Sequence, residues 1–339
     1  MLGKKDRYSV AVVGATGAVG NEVIEVLEQR AFPVERIRFF ASERSAGTIL
    51  EFEGSGMPVE VLDEDSFKQT DIALFSAGEE ISRRWAPVAV RSGCVVVDNS
   101  NEWRMDPNVP LVVPEVNARD LQRHRGIIAN PTSSTILTVM VLKSIHDATR
   151  IRRIVVTTLQ SVSGTGKKGM DELLRQTTDL LNFREVGTNV YPYQIAFDVL
   201  PHVDAFLDNG YTSEEMSLVH GTRKIMGDGA IRVTATAVRV PVFRGHCASV
   251  NVETEDKLTA NEARALLAAA PGIVIFDAPE KNLYPHPLGN AGDDEVYVGR
   301  IREDESVDNG LNLWIVTDNL RKGAALNEVQ IAEELIRIS

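Results

Sequence analysis

Three hydroxyl side chains, Ser133, Ser134 and Thr135, stand where a strand turns into a helix, in the stretch Ile128-Ala129-Asn130-Pro131-Thr132-Ser133-Ser134-Thr135-Ile136. Asn130-Pro131 is a turn dipeptide, and a residue before proline is biased away from helix. The three hydroxyl residues are natural N-caps for the apolar run Ile136, Leu137, Val139, Met140 and Leu142. A side chain at such a junction meets free helix N–H groups and the positive end of the helix dipole. That environment stabilises an anion or a nucleophile.

A second chemistry-bearing stretch is Gly14-Ala15-Thr16-Gly17-Ala18-Val19-Gly20. It follows the β-branched run Tyr8 to Val13 and precedes a helical pattern at Val23, Ile24 and Leu27. Strand, glycine turn and helix is the context of a dinucleotide fingerprint, with backbone N–H groups free to approach pyrophosphate. The spacing is G-x-x-G-x-x-G, which also fits an ordinary tight turn. The next strand, Ile37 to Ala41, ends without the acidic residue that binds a ribose hydroxyl in NAD enzymes. Ser42, Arg44 and Ser45 suit a 2′-phosphate and favour NADP; a solvated loop is the alternative, and Glu43 is an unhelpful neighbour. Arg104, in a loop after the strand Cys94 to Asp98, can grip a phosphate or carboxylate, or pair with Glu102 or Asp106.

These residues need elements to hold them. Further strand–helix units at Asp71 to Gly78 and Cys94 to Ser100 argue for a doubly wound parallel sheet, an α/β fold. Ligands of such sheets lie at the carboxyl ends of the strands. After the long helix from Ser134 the pattern changes. Arg153 to Gln160, Ile231 to Val242, Ala248 to Glu253, Tyr297 to Ile301 and Asn312 to Val316 read as strands with few helices between them. They suggest a second domain on a largely antiparallel sheet. A last helix, about Arg321 to Ile336, fits a nucleotide domain split around that second domain.

The 339 residues are long enough for two cores. The net charge of -12 argues against nucleic acid or an anionic membrane as main partner, but not against small anions. Two cysteines, Cys94 and Cys247, are too few for a disulfide framework and suit a reducing cytoplasm. The polar stretch Met1 to Tyr8 does not read as a signal peptide, and no apolar run is long enough to span a membrane. Histidines and cysteines show no ligand-like clustering, so no metal site is expected.

The chain resembles the aspartate-β-semialdehyde dehydrogenases from end to end. The matching stretches are GATGAVG at Gly14, ASERSAG at Ala41, FSAG at Phe75, VVVDNS with Arg104-Met105-Asp106, VPLVVPEVN at Val109, QSVSGTGKKGMDEL at Gln160, IAFDVLPHVD at Ile195, RVPVFRGH at Arg239 and DNLRKGAALNEVQIAE at Asp318. The resemblance implies a Rossmann-type NADP-binding domain of residues 1–132 and 318–339. It implies an α+β catalytic and dimerisation domain of residues 133–317. The implied reaction is NADPH-dependent reduction of L-aspartyl-4-phosphate to L-aspartate-4-semialdehyde with release of phosphate, in amino-acid biosynthesis. In it a cysteine thiolate attacks the acyl phosphate, and the resulting thioester is reduced to a thiohemiacetal that collapses to the aldehyde. By motif, His246 is the acid/base and Gln160 orients the acyl group. Arg239 holds the carboxylate, Arg104 the phosphate, and Glu214 the amino group. The cofactor contacts implied are Gly14, Thr16, Gly17, Ala18, Val19, Ser42, Arg44, Ser45, Ser76, Ala77, Gly78, Ser163, Gly164 and Asn319. A homodimer or homotetramer in the cytoplasm is also implied.

The residues read on their own leave alternatives open. A histidine in a strand-end loop is often structural, Gln160 can satisfy backbone groups of the Gly/Ser turn after it, and a buried Arg239 can pair with a structural carboxylate. The chain also departs from the family. Where the family has Asn-Pro-Asn-Cys, this chain has Asn130-Pro131-Thr132-Ser133; a lysine of the family appears as Ser217 and a glutamate as Gly221. A thiol titrates near about 8.5 and falls further at a helix N-terminus, whereas a serine hydroxyl stays protonated without a strong base. Cys94, in a core strand, and Cys247, on the opposite strand face from His246, are not obvious substitutes. Three functions therefore compete: a dehydrogenase with impaired thiol chemistry, a non-catalytic binding or regulatory homologue, and a different reaction on the same scaffold.

Overall fold

Short β-branched runs closed by turn residues build the first part of the chain. In the computed structural model, which describes residues 2–339, the chain forms two units, residues up to 131 with 324–339, and residues 132–323. The first opens with β1 (Tyr8–Val13), α1 (Ala18–Gln29), β2 (Val34–Phe40), β3 (Ile49–Phe52), β4 (Ser55–Glu60) and β5 (Ile72–Phe75). It continues with α2 (Glu79–Arg91), β6 (Val95–Asp98), α3 (Pro114–Asn117), a 3-10 helix (Ala118–Arg123) and β7 (Ile127–Ala129). The sheet order is β3-β4-β2-β1-β5-β6-β7, parallel except for the antiparallel edge strand β3.

Period-two alternation lets each parallel strand serve two cores. Val10, Val12, Ile72, Leu74, Val95 and Val97 face one layer with Val23 and Leu27 of α1; Ala11, Val13, Ala73, Phe75 and Val96 face the other with Trp85 and Ala89 of α2. The β3–β4 hairpin is absent from the sequence reading. Phe52 is the only buried side chain of β3, and so few buried positions give no alternation to read.

The second unit runs α4 (Ser133–Ala148), β8 (Ile151–Gln160), α5 (Lys167–Leu181), α6 (Ser213–Met226), β9 (Arg232–Arg239), β10 (His246–Thr254), α7 (Ala260–Ala268), β11 (Ile273–Ile275), β12 (Val296–Asp304) and β13 (Gly310–Thr317). Its sheet, β11-β12-β13-β10-β8-β9, is antiparallel in the middle and parallel at both edges. The sheet is thus mixed. The helix α4 packs on this sheet and on α6 and α7, so it is apolar nearly all round and its ten buried residues leave little amphipathic signal. A final helix, α8 (Leu326–Ile338), belongs to the first unit and packs on α1 and α3. The helix expected from Arg321 begins as a π turn, Arg321–Ala325, before α8.

One boundary matters for the site. The strand expected over Ile231 to Val242 ends at Arg239, and His246, expected in a loop, opens β10. Pro241 cannot extend the ladder, and Gly245 at φ +93° reverses the chain. No helix of the described residues is long and apolar enough to cross a membrane.

Candidate active site

In the first unit, the glycine turn does what its spacing requires. Gly14 adopts φ +85°, and a Cβ there would lie 2.5 Å from the Ser76 carbonyl oxygen. A Cβ on Gly20 would lie 2.2 Å from the Gly14 carbonyl oxygen, so the third glycine lets α1 close on β1. Gly17 caps α1 with no side-chain bond, and the first turn carries no acidic residue. Free N–H groups therefore face a cleft of about 550 Å³ lined by Gly14, Thr16, Gly17, Ser42, Glu43 and Ser76, with Ala77, Arg84 and Trp85 also in its wall. Thr16 Oγ1 donates to Ser45 Oγ at 3.3 Å. Ala18 and Val19 begin α1, Gly78 caps α2, and Arg44 is exposed, outside the residues that line the cleft. The residues fit a dinucleotide: bare donors at a helix end, a tight turn, and hydroxyls beyond β2.

Arg104 is also in the first unit, and it is buried. Its Nε donates to the Asn130 carbonyl at 2.8 Å and Nη2 to the Asn99 carbonyl at 2.7 Å, while Nη1 meets the Asn101 side chain. Glu102, one of its suggested partners, is taken by Arg83. Asn130 is a joint of this unit. Its amide donates to Asn99 and to the Ala324 carbonyl, and accepts from Asn327 at 2.6 Å.

The second unit holds Ser133, Gln160, Glu214, Arg239 and His246. Thr132, not the three residues after it, caps α4 by accepting from the Thr135 N–H at 3.3 Å. Ser133 is thereby the first helical residue, and its Oγ donates to the Asn319 carbonyl at 3.2 Å. Gln160 ends β8 on the buried phase of its alternation. Its Nε2 donates to Ser134 Oγ at 2.8 Å and to Glu214 Oε1 at 3.0 Å. Glu214 is placed by the capping box of α6, where Thr212 and Glu215 bond reciprocally.

His246 is fully enclosed. The Ser161 backbone N–H donates to its Nδ1 at 3.2 Å, and Ser161 Oγ lies 3.1 Å away. A backbone N–H can only donate, so Nδ1 is the acceptor and the neutral ring carries its proton on Nε2. Burial, then the charge of Arg239, pushes the imidazole down to about 3. Arg239 is itself buried, and Nη1 donates to the Ser161 carbonyl at 2.7 Å. A Cβ on Gly164 would lie 2.6 Å from Arg239 Nη1 and 3.3 Å from His246 Nε2. Gly164 thus lets these two donors pack side by side against the turn.

Asn319 holds this group together. Its Oδ1 accepts from the Gly245 N–H at 2.8 Å and stands 3.0 Å from Ser161 Oγ and 3.1 Å from Ser163 Oγ. Ser163 and Asn319 are each 2% exposed. Cys247 is buried and its thiol is pushed up to about 12 by burial; burial pushes Cys94 up as well. Among the described residues, no group of three His, Cys, Asp or Glu is placed to hold a metal.

Residues 9–124 match the model of the semialdehyde dehydrogenase NAD binding domain, and residues 142–322 match that of the semialdehyde dehydrogenase dimerisation domain. The aspartate-semialdehyde dehydrogenase of Legionella pneumophila is 54% identical over 332 residues, 97% of this chain and 96% of that protein. The chain belongs to the aspartate-semialdehyde dehydrogenase family. That of Aquifex aeolicus is 51% identical over 334 residues, 97% of this chain and 98% of that protein. Among solved structures, aspartate semialdehyde dehydrogenase II of Vibrio cholerae, complexed with ASA, superimposes with a TM-score of 0.96 at 49% identity, covering 98% of this chain and 99% of that one.

The family motifs did not point to Ser161, Thr132 or Asn319 as structural holders. Ser161 and Asn319 act through hydrogen bonds between segments far apart in the chain, which no periodicity records.

The enclosed histidine has a stability signature. In the unfolded chain an imidazole takes up a proton near 6.5, but folded His246 resists protonation down to about 3. Stability is therefore retained above 6.5 and lost as pH falls through that window, by at most about 1.4 kcal/mol per pH unit. His246→Asn, whose Oδ1 can still accept from Ser161, should flatten that acid slope in urea unfolding between pH 6.5 and 4. An unchanged slope would show that His246 is not the group responsible.

Proposed function

We propose that this chain is an aspartate-semialdehyde dehydrogenase by scaffold, with an NADP site and an amino-acid aldehyde site, whose thiol step is disabled at Ser133. The observation that carries this reading is the state of Ser133 and His246 together. The Ser133 hydroxyl donates to the Asn319 carbonyl. His246 carries its proton on Nε2 and is a donor, not a base, at neutral pH. Nothing in that pair activates a hydroxyl, which without a strong base remains a poor nucleophile.

The remaining groups keep roles that suit the family reaction. Arg239 offers its guanidinium to a carboxylate, and the Nε2–H of His246 offers a hydrogen bond beside it. Glu214, next to Gln160, suits an ammonium group. Arg104, buried and aimed by three bonds, suits a phosphate. NADP, held at Gly14, Thr16, Gly17, Ser42, Arg44 and Ser76, would supply the redox equivalents. Ser42 and Arg44 favour the 2′-phosphate, against which Glu43 acts.

A second reading is favoured by the same hydroxyl. A chain that binds the ligands without turning them over is a binding or regulatory homologue. The exposed apolar residues Phe183, Tyr193, Phe197, Val199 and Phe206 of the second unit support a homodimer or homotetramer. A cytoplasmic location is supported by two buried free cysteines. Light scattering should give at least twice the mass of 37.2 kDa for one chain. A monomeric mass would overturn the assembly.

The direct test pairs this chain with Ser133→Cys, each given NADP, aspartate semialdehyde and phosphate. The cysteine variant should form NADPH in a phosphate-dependent way, at a rate at least about a hundredfold above the serine chain. Silence from both would mean that the substrate pocket has diverged at Ser217 and Gly221. Full activity of the serine chain would remove the claim of a disabled step.

A further inference from the structure

The buried acid Glu328 has no part in the roles assigned so far. It lies in the first turn of α8, in the first unit, and is 0% exposed. Its Oε2 meets the Ser76 hydroxyl at 3.0 Å, while Oε1 has no hydrogen-bond partner among the described residues. Ser76 stands at the carboxyl end of β5 and lines the dinucleotide cleft. Its carbonyl is also the atom against which Gly14 is packed. One side chain behind the sheet thus reaches the residue where two turns of the cleft meet.

The setting decides the charge of this carboxyl. An ionised carboxylate has room for about four hydrogen bonds and is costly to bury without them. Asp98, at the end of β6, shows the contrast. It accepts from the Ser100 N–H at 2.9 Å, the Ser100 hydroxyl at 2.5 Å and the Ser82 hydroxyl. Glu328 has the Ser76 hydroxyl and the pull of the Phe75 backbone N–H, and its Oε1 has no hydrogen bond. The charge acting on it is that of Asp98, of the same sign. Other charged groups on the surrounding elements are engaged or lie elsewhere on α8. Glu115 of α3 accepts from Gln330, Arg30 beyond α1 pairs with Glu333, and Asp120 in the 3-10 helix is held by Asn117 and Arg123. Glu22 is on α1. Burial pushes Glu328 well above the ordinary carboxylate range, and burial raises Asp98 as well, against three donors.

We propose that Glu328 is a positioning residue of the dinucleotide site, which fixes the Ser76 hydroxyl, and with it the β5 turn, against the Gly14 turn. The inference rests on reading this cleft as the NADP site. As a neutral acid it can either accept from Ser76 or donate to it, so the pair stays bonded as a ligand enters. Once ionised, it can only accept from Ser76, and it becomes a buried charge with too few donors, which loosens its place behind the sheet.

The test measures NADP dissociation constants by fluorescence or calorimetry on the full chain, from pH 6 to pH 9.5, for wild type, Glu328→Gln, Glu328→Ala, Ser76→Ala and the double alanine variant. Glu328→Gln should match the wild type near pH 7, because the amide is the shape of the neutral acid. Glu328→Ala and Ser76→Ala should each weaken binding about tenfold, and the double variant should be no weaker than either single one. Wild-type binding should weaken at alkaline pH where Glu328→Gln does not. Stability gives an independent readout. The unfolded acid ionises near 4.5 and the folded one well above it. Wild-type stability should therefore fall as pH rises through that window, and Glu328→Gln should lack the fall. Additive losses in the double variant, or equal losses for glutamine and alanine at pH 7, would overturn the positioning role alone. No NADP binding by the wild type would overturn the cofactor reading, and the proposal with it.

Discussion

The cluster around His246 in the second unit depends on one buried amide. Asn319 accepts through Oδ1 from the Gly245 N–H, which sets where β10 and His246 begin, and its backbone carbonyl takes the Ser133 hydroxyl. Ser161, bonded to the same Oδ1, holds Nδ1 of His246 through its own N–H. From this one residue run contacts to the start of α4, to the turn after β8 and to the start of β10. Each bond is a neutral one of modest worth, about 1 kcal/mol, but the groups are buried, so losing the hub strands several donors at once.

What the hub holds is unlike a base–nucleophile pair. Burial, and then the charge of Arg239 beside it, keeps the His246 ring neutral, and Arg239 is itself anchored to the Ser161 carbonyl. Both pack their donors against Gly164. Such a setting suits an anionic or carbonyl oxygen. In it a residue at the start of α4 gains from helix N–H groups only if it can become an anion, as a thiol can and an alcohol cannot. At Ser133, a hydroxyl bonded to the Asn319 carbonyl gains no such stabilisation.

Much of this was legible in the chain. The glycine turn after β1 and the ordered family motifs pointed to the sheet and to the candidate residues. Legibility failed where tertiary bonds decide. The capping of α4 by Thr132 instead of the following serines depends on a one-residue choice among four polar candidates. The start of β10 at His246 depends on a glycine reversal and on Asn319. Glu328 draws no reading of its own from the sequence, and only its distance from Ser76 sets it apart.

The claim that binds these observations is that the start of α4 remains a thiolate site that happens to carry an oxygen. The measurement that addresses it most directly is the pH dependence of alkylation of Ser133→Cys by iodoacetamide, without substrate or cofactor. Cys94 and Cys247 are buried and pushed up, so they contribute little background. The account predicts a single reactive thiol whose apparent pKa lies at least about one unit below the ordinary value of about 8.5. A thiol that titrates at or above that value would contradict it, because the helix end would then offer no stabilisation for the missing nucleophile.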